Sequence, residues 1–373
     1  MVSLRLPHFL FSFFFLSLAM TSGRVLGSHM AVKSAYYPDW ASGLPPLSID
    51  TSLFTHIYYA FVQPDGVTFE LDVSDSLATI LSNFSSTLHS KNPPVKTIIS
   101  IGGAASSLFS NMASSASTRK NFILSTLDIA RKLGFDGLDL DWEFPRSPAE
   151  MDNFASLLEE WRAEVQKEAQ ETNRSPLVLT AAVYFSVDFF LSNIYRIYPV
   201  ESMSKSLDLV NAMCYNYHGS WDTSATGAQA ALFDPNSNIS TSYGLNSWVK
   251  AGLQQSKLVM GLPLYGRTWT LKDPKVNSVG APAVSAGPGN GVLTYNQILN
   301  YNREHNATVK FDITTVSAYS YGGTAWIGYD DTRSTTLKVD YAQALGLRGY
   351  LFWALSYDHE WRIATEASRA WLL

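Results

Sequence analysis

Residues 135 to 145 read Phe-Asp-Gly-Leu-Asp-Leu-Asp-Trp-Glu-Phe-Pro, so Asp136, Asp139, Asp141 and Glu143 fall within eight positions. Carboxylates are seldom buried without partners, yet here they alternate with Leu138, Leu140 and Trp142, which belong in a core. A strand reconciles the two. Its alternation sends Asp139, Asp141 and Glu143 to one face and the apolar residues to the other, whereas a helix would scatter the charges around its cylinder. At ~3.3 Å of rise per residue, Asp141 and Glu143 lie roughly 6 to 7 Å apart at their Cα atoms. Carboxylates this close do not ionise independently, so a proton is shared and some pKa values rise. This keeps an acid protonated near neutral pH, ready to donate. A solvated acidic edge strand fits poorly with the interleaved Leu, Leu and Trp and with the terminating Pro145. Asp136 has the opposite parity and reads as structural.

The rest of the chain bounds what such a row can serve. A net charge of -5 leaves no electrostatic footprint for nucleic acid or an anionic membrane, so an uncharged ligand is expected. The 10 Trp, 19 Tyr and 20 Phe are compatible with sugar stacking and equally with a large core. Arg5 and His8 precede an apolar run from Phe9 to Ala19, the composition of a secretory leader and short for a membrane span. Gly27-Ser28-His29-Met30 resembles a cloning scar, and residues 1 to 30 are therefore set apart from the fold. Sequons at Asn83, Asn173, Asn238 and Asn306 agree with secretion, and Cys214, the single cysteine, allows no internal disulfide. The seven histidines form no His-x-x-x-His pair, and Gly-x-Ser-x-Gly is absent, so neither a metal nor a serine nucleophile is expected. No cofactor is implied, and a monomer is the default.

From Val32 onward, strand-like and helix-like segments alternate. Strands are read at 34–37, 55–62, 95–101, the acidic row, 177–183, 207–215, 257–264 and 346–354, with helices at 117–132 and 149–172. Eight apolar strands separated by helix-length connections predict a parallel sheet closed into a (β/α)8 TIM barrel. The stretch from Arg267 to about Thr336 is too long for a structureless connection, so it reads as a small α+β insertion between strands 7 and 8. The expected organisation is a barrel over 31–266 and 337–373 interrupted by an insertion over 267–336. Active sites of such barrels lie at the carboxyl ends of the strands. Glu143, Tyr215, Asn216, Tyr265, Arg267 and Trp353 converge there, a set suited to a neutral polar ligand with apolar faces, such as a sugar.

These residues carry a family resemblance. Asp136 to Glu143 matches the Asp-x-x-Asp-x-Asp-x-Glu signature of glycoside hydrolase family 18, the chitinases. Ser100-Ile101-Gly102-Gly103, Met213-Cys214-Tyr215-Asn216, Gly261 to Arg267 and Trp353 resemble its third-, sixth-, seventh- and eighth-strand motifs. Tyr37 to Gly43 is most similar to plant class V chitinases, a group that includes legume enzymes cleaving lipochitooligosaccharide Nod factors. The resemblance implies an endo-acting hydrolase of chitin oligosaccharides or lipochitooligosaccharides in which the substrate's acetamide is the nucleophile. It implies Glu143 as acid and base, Asp141 holding the acetamide nitrogen, Tyr215 its oxygen, and Asp139 supporting Asp141. Trp353 becomes the floor, with Tyr36, Phe61, Met213, Tyr265 and Arg267 along the wall. Two positions depart from the family: Asn216 stands where Asp is frequent, and Ala104 where many relatives carry Trp. A chitinase-like lectin is the alternative, though such proteins usually lose the terminal Glu or neighbouring Asp.

Overall fold

The computed structural model of the protein describes residues 31–41, 43–103 and 106–371. The expected leader and scar, and the Ala104 position, lie outside these residues. Eight strands form the barrel: β1 (Val32–Pro38), β2 (His56–Val62), β3 (Lys96–Gly103), β4 (Gly137–Trp142), β5 (Val178–Tyr184), β6 (Leu209–Met213), β7 (Leu258–Pro263) and β8 (Gly349–Trp353). Each pairs in parallel with its sequence neighbours, and β8 closes onto β1. Register puts Ser100 of β3 and Thr180 of β5 on either side of Asp139.

The acidic strand divides its residues as its alternation requires. Leu138, Leu140 and Trp142 are buried on the outer face, where Trp142 meets Phe109 and Phe154 with ring centroids 5.9 and 6.1 Å away. Burial of such side chains stabilises by about 1.5–3 kcal/mol each, which offsets the cost of pointing carboxylates inward. Phe109 lies on the short helix Ser106–Ala113, and two longer helices also cover this face. Ala116–Lys132 is capped by Ser115 and is followed by Gly134 at φ 75°, the stop expected from the sequence. Pro148–Thr172 begins at the Ser147 cap with Pro148 in its first turn, and buries Met151, Phe154, Leu158, Trp161 and Val165. The Glu150 carboxylate accepts the Arg146 backbone N–H at 2.6 Å, fixing the loop that follows Glu143.

Three details differ from the sequence reading. The sixth strand was expected over 207–215 but ends at Met213, because the Cys214 and Tyr215 amides turn back to the carbonyls of Ala212 and Met213. The fourth stops at Trp142, so Glu143 stands one residue beyond the ladder. An antiparallel hairpin, Asp188–Leu191 with Ile194–Ile197, occupies a stretch to which no element was assigned. Between β7 and β8 runs an antiparallel sheet from Tyr265–Leu271 to Ala325–Tyr329, with the helix Tyr295–Glu304 inside it, and the helix Thr332–Ala344 leads back to β8. Among the described residues no helix is long and apolar enough to cross a membrane.

Candidate active site

Asp139 is fully buried inside the barrel. Its oxygens accept from Tyr36 Oη (2.9 Å), Ser100 Oγ (2.7 Å) and Thr180 Oγ1 (2.5 Å), with Asn211 Nδ2 at 3.5 Å. These donors come from β1, β3, β5 and β6, so the barrel is wrapped around this carboxylate. Burial raises its pKa, and the hydrogen bonds only partly reverse the shift.

Asp141 sits one step nearer the carboxyl end, buried, with Oδ1 lacking any hydrogen-bond partner among the described residues. Burial pushes its pKa well up, and the charges of Glu143 and Asp139 push it further. Glu143 stands at the rim, half-buried, and burial raises its pKa as well. Two neighbouring carboxyl groups whose pKa values are both raised titrate as a coupled pair, so a proton stays on the pair above the usual carboxylate range. Gly102, at φ 121°, permits this arrangement: a Cβ there would come within 2.2 Å of the Asp141 carbonyl oxygen.

The row opens into a cleft of about 520 Å³. Asp141, Glu143, Phe61, Met213, Tyr215, Asn216 and Trp353 line it, as do Trp40, Gly103, Phe144 and Tyr184. Trp353 stacks on Phe61 at 5.7 Å and 21°, presenting a flat half-buried ring as floor. Tyr215 is buried, and its pKa is raised well above the ordinary tyrosine value by burial, then by Tyr265, Asp141 and Glu143, so it remains a donor. Cys214 is buried and its thiol is pushed up to about 12 by burial, which keeps it unreactive.

Several expected wall residues lie elsewhere. Tyr36 is buried beneath Trp353 (5.4 Å between centroids) and spends its hydroxyl on Asp139. Tyr265 and Arg267 stand behind Asn216, whose Oδ1 accepts from Tyr265 Oη (2.7 Å) and from Arg267 Nη2 (2.7 Å) and Nε (3.2 Å). One amide oxygen thus replaces a carboxylate as the focus of three donors. Asp136, preceding β4, accepts the Thr97 amide at 2.8 Å and pairs with His89 at 2.8 Å, at the strand end remote from Glu143. The sequence reading missed Trp40, Phe144 and Tyr184 in the cleft and Thr180 and Asn211 beneath it. Among the described residues no cluster of His, Cys, Asp and Glu suits a metal ion.

Comparison with known proteins places this geometry. Residues 33–358 match the model of glycosyl hydrolases family 18. The chain is 49% identical over 335 residues to Nod factor hydrolase protein 1 of Medicago truncatula, covering 88% of this chain and 86% of that one. A class V chitinase mutant from Nicotiana tobaccum, solved in complex with NAG4, superposes with a TM-score of 0.88 at 40% identity, over 92% of this chain and 99% of that one. A chitinase-like agglutinin from Robinia pseudoacacia also superposes, at TM-score 0.85 and 40% identity over 91% and 100% of the two chains. The acidic row, the closed barrel and the matched span together make this chain a member of family 18 of the glycosyl hydrolases.

Proposed function

We propose that this protein is a secreted, monomeric, endo-acting hydrolase of β-1,4-linked N-acetylglucosamine chains that retains anomeric configuration through substrate assistance. The observation carrying this reading is Asp141, a buried cleft carboxylate whose Oδ1 has no partner among the described residues. An acetamide N–H supplies that missing donor.

With the reacting sugar on Trp353, Glu143 protonates the glycosidic oxygen as the bond to C1 breaks. The acetamide oxygen attacks C1 from the opposite face, closing an oxazolinium ring. Asp141 holds the N–H and offsets the developing positive charge, while the Tyr215 hydroxyl donates to the acetamide oxygen and orients it. Water then attacks C1 as the deprotonated Glu143 takes its proton, and two inversions leave the configuration retained. Asp139, held by its hydroxyl donors, acts on Asp141 through its charge.

Lipochitooligosaccharides carry the same reacting sugars, and the likeness to a Nod factor hydrolase supports including them as substrates. A sugar-binding protein without catalysis is the second reading, favoured by the likeness to an agglutinin. Incubating the protein and its Glu143→Gln variant with N-acetylglucosamine tetramer to hexamer separates the readings. The proposal requires cleavage by the parent and uncut, bound ligand with the variant. Intact ligand from both proteins supports the lectin, and equal cleavage by both removes Glu143 from its role.

A further inference from the structure

The four sequons are not equivalent once the chain is folded. All four asparagines are exposed, so it is their surroundings that separate them. The Asn83 sequon ends at Ser85, which is buried and donates its Oγ to the Leu133 carbonyl at 2.6 Å. That of Asn238 ends at Ser240, buried as the cap of the helix Thr241–Lys250. Asn173 leads to Ser175 and then Pro176, whose fixed φ restricts the backbone around the acceptor. Of the four, only Asn306 has an exposed hydroxyl partner, Thr308, with no proline after it. Among the described residues neither side chain makes a hydrogen bond.

Local structure presents this sequon on a fixed corner. The helix Tyr295–Glu304 ends with Asn306 at φ 48°, where asparagine is among the few residues that fit readily. The amides of Ala307 and Asn306 turn back to the carbonyls of Asn302 (2.9 Å) and Arg303 (3.5 Å), the paired bonds of a Schellman cap. Asn302 is itself held by Ser320 Oγ at 2.7 Å, and the His305 ring stacks on Tyr301 at 3.9 Å.

A second feature lies in the strand after this corner. Thr308–Asp312 is the last strand of the antiparallel sheet between β7 and β8, paired with Ser317–Gly322 on one side and with no strand on the other. Such an edge invites pairing with another chain. Phe311 lies under the Arg333 guanidinium, 3.9 Å from its centroid, and Lys310 places a charge on the edge. Val309 and, just beyond the strand, Ile313 remain 51% and 78% exposed. At ~3.3 Å per residue the strand is about 16 Å long, a length that a branched glycan rooted two residues before it can screen.

We propose that Asn306 carries an N-linked glycan that covers the free edge of this sheet and keeps the secreted protein a monomer. This rests on the secretion proposed above. Asn306 Nδ2 attacks C1 of a lipid-linked oligosaccharide pyrophosphate. The N–C1 bond forms, the bond from C1 to the phosphate oxygen breaks, the lipid pyrophosphate leaves with that electron pair, and the amide loses one proton. The Thr308 hydroxyl completes the acceptor motif.

The test expresses the full chain behind a host leader in a eukaryotic secretory host, so modification is scored whether or not residues 9 to 19 direct export. Amidase release of glycans in heavy-oxygen water, followed by peptide mapping, marks each modified asparagine, and light scattering over a concentration series gives the mass in solution. The parent and Thr308→Ser are expected to carry the glycan at Asn306 and to scatter as single chains. Asn306→Gly keeps the left-handed cap, and Thr308→Val keeps a β-branched strand residue. Both are expected to lose that glycan and to shift toward about twofold higher mass as concentration rises. Two variants at different positions keep the test decisive should one fail to fold. An unmodified Asn306 in the secreted parent overturns the proposal, as does a single-chain mass for both glycan-free variants. No readout involves turnover, so either result leaves the hydrolase reading to its own experiment.

Discussion

Tyr36 donates its hydroxyl to Asp139 at 2.9 Å across the barrel interior, joining β1 to the middle of the acidic strand. A residue with the sequence position of a wall tyrosine thus serves as a support for the carboxylate ladder. Tyr36→Phe removes one charge-assisted hydrogen bond, so a loss of about 1.5–3 kcal/mol is expected in denaturant unfolding. Tyr350, equally buried, has a hydroxyl without a hydrogen-bond partner among the described residues, so Tyr350→Phe is expected to be neutral or stabilising in the same assay. Equal losses in the two variants contradict the role given to Tyr36.

The acid must be protonated to act, and burial raises the pKa of Glu143. The alkaline limb of kcat/KM against pH is therefore expected above the ordinary glutamate value of about 4.3. Asn216→Asp adds a negative charge at the same cleft and is expected to move that limb farther up. A downward movement means the Arg267 charge dominates at Glu143.

Asp141 predicts an effect on stability with a definite sign. Its folded-state pKa is raised, so its contribution is fully present below the unfolded value of about 3.9 and is lost as pH rises toward the folded value. Within that window the folded state retains a proton the unfolded chain releases, and above it the folded state buries a charge. Asp141→Asn is therefore expected to raise Tm at pH 7 and to lose that advantage toward pH 3. A variant less stable than the parent at pH 7 contradicts burial as the main cause.

Away from the cleft, Lys338 and Asp330 form a buried pair with Nζ 2.6 Å from both carboxylate oxygens, and Nζ also donates to the Ala230 carbonyl. The pair ties the long segment after β6 to the helix preceding β8. Lys338→Met strands a buried carboxylate, and a loss of about 3–5 kcal/mol in unfolding free energy is expected, against a smaller loss when Asp330→Asn is added. Additive losses contradict a coupled pair.

The period of the sequence carried the barrel because near-continuous apolar strands and amphipathic helices each leave a local pattern. The acidic row was legible for the same reason: alternation alone separates Asp139 and Asp141 from Leu138 and Leu140. Thr180 and Asn211 were not, since their meeting with Asp139 depends on cross-strand register, which no local pattern encodes. Tyr36 was misplaced because a tyrosine on a barrel strand reads alike whether its ring lines the mouth or its hydroxyl points to a buried acid. The hairpin after β5 escaped notice because Phe189 and Arg196 face inward while Phe190, Tyr195 and Ile197 are exposed, which blurs the usual apolar-in pattern.

In the proposed reaction the ligand's acetamide, and no protein carboxylate or directly attacking water, displaces the leaving sugar as Glu143 gives up its proton. Proton NMR of the first-formed product from N-acetylglucosamine hexamer, recorded before mutarotation, tests it most directly. Substrate assistance gives the β-anomer at the new reducing end. An initial α-anomer contradicts it.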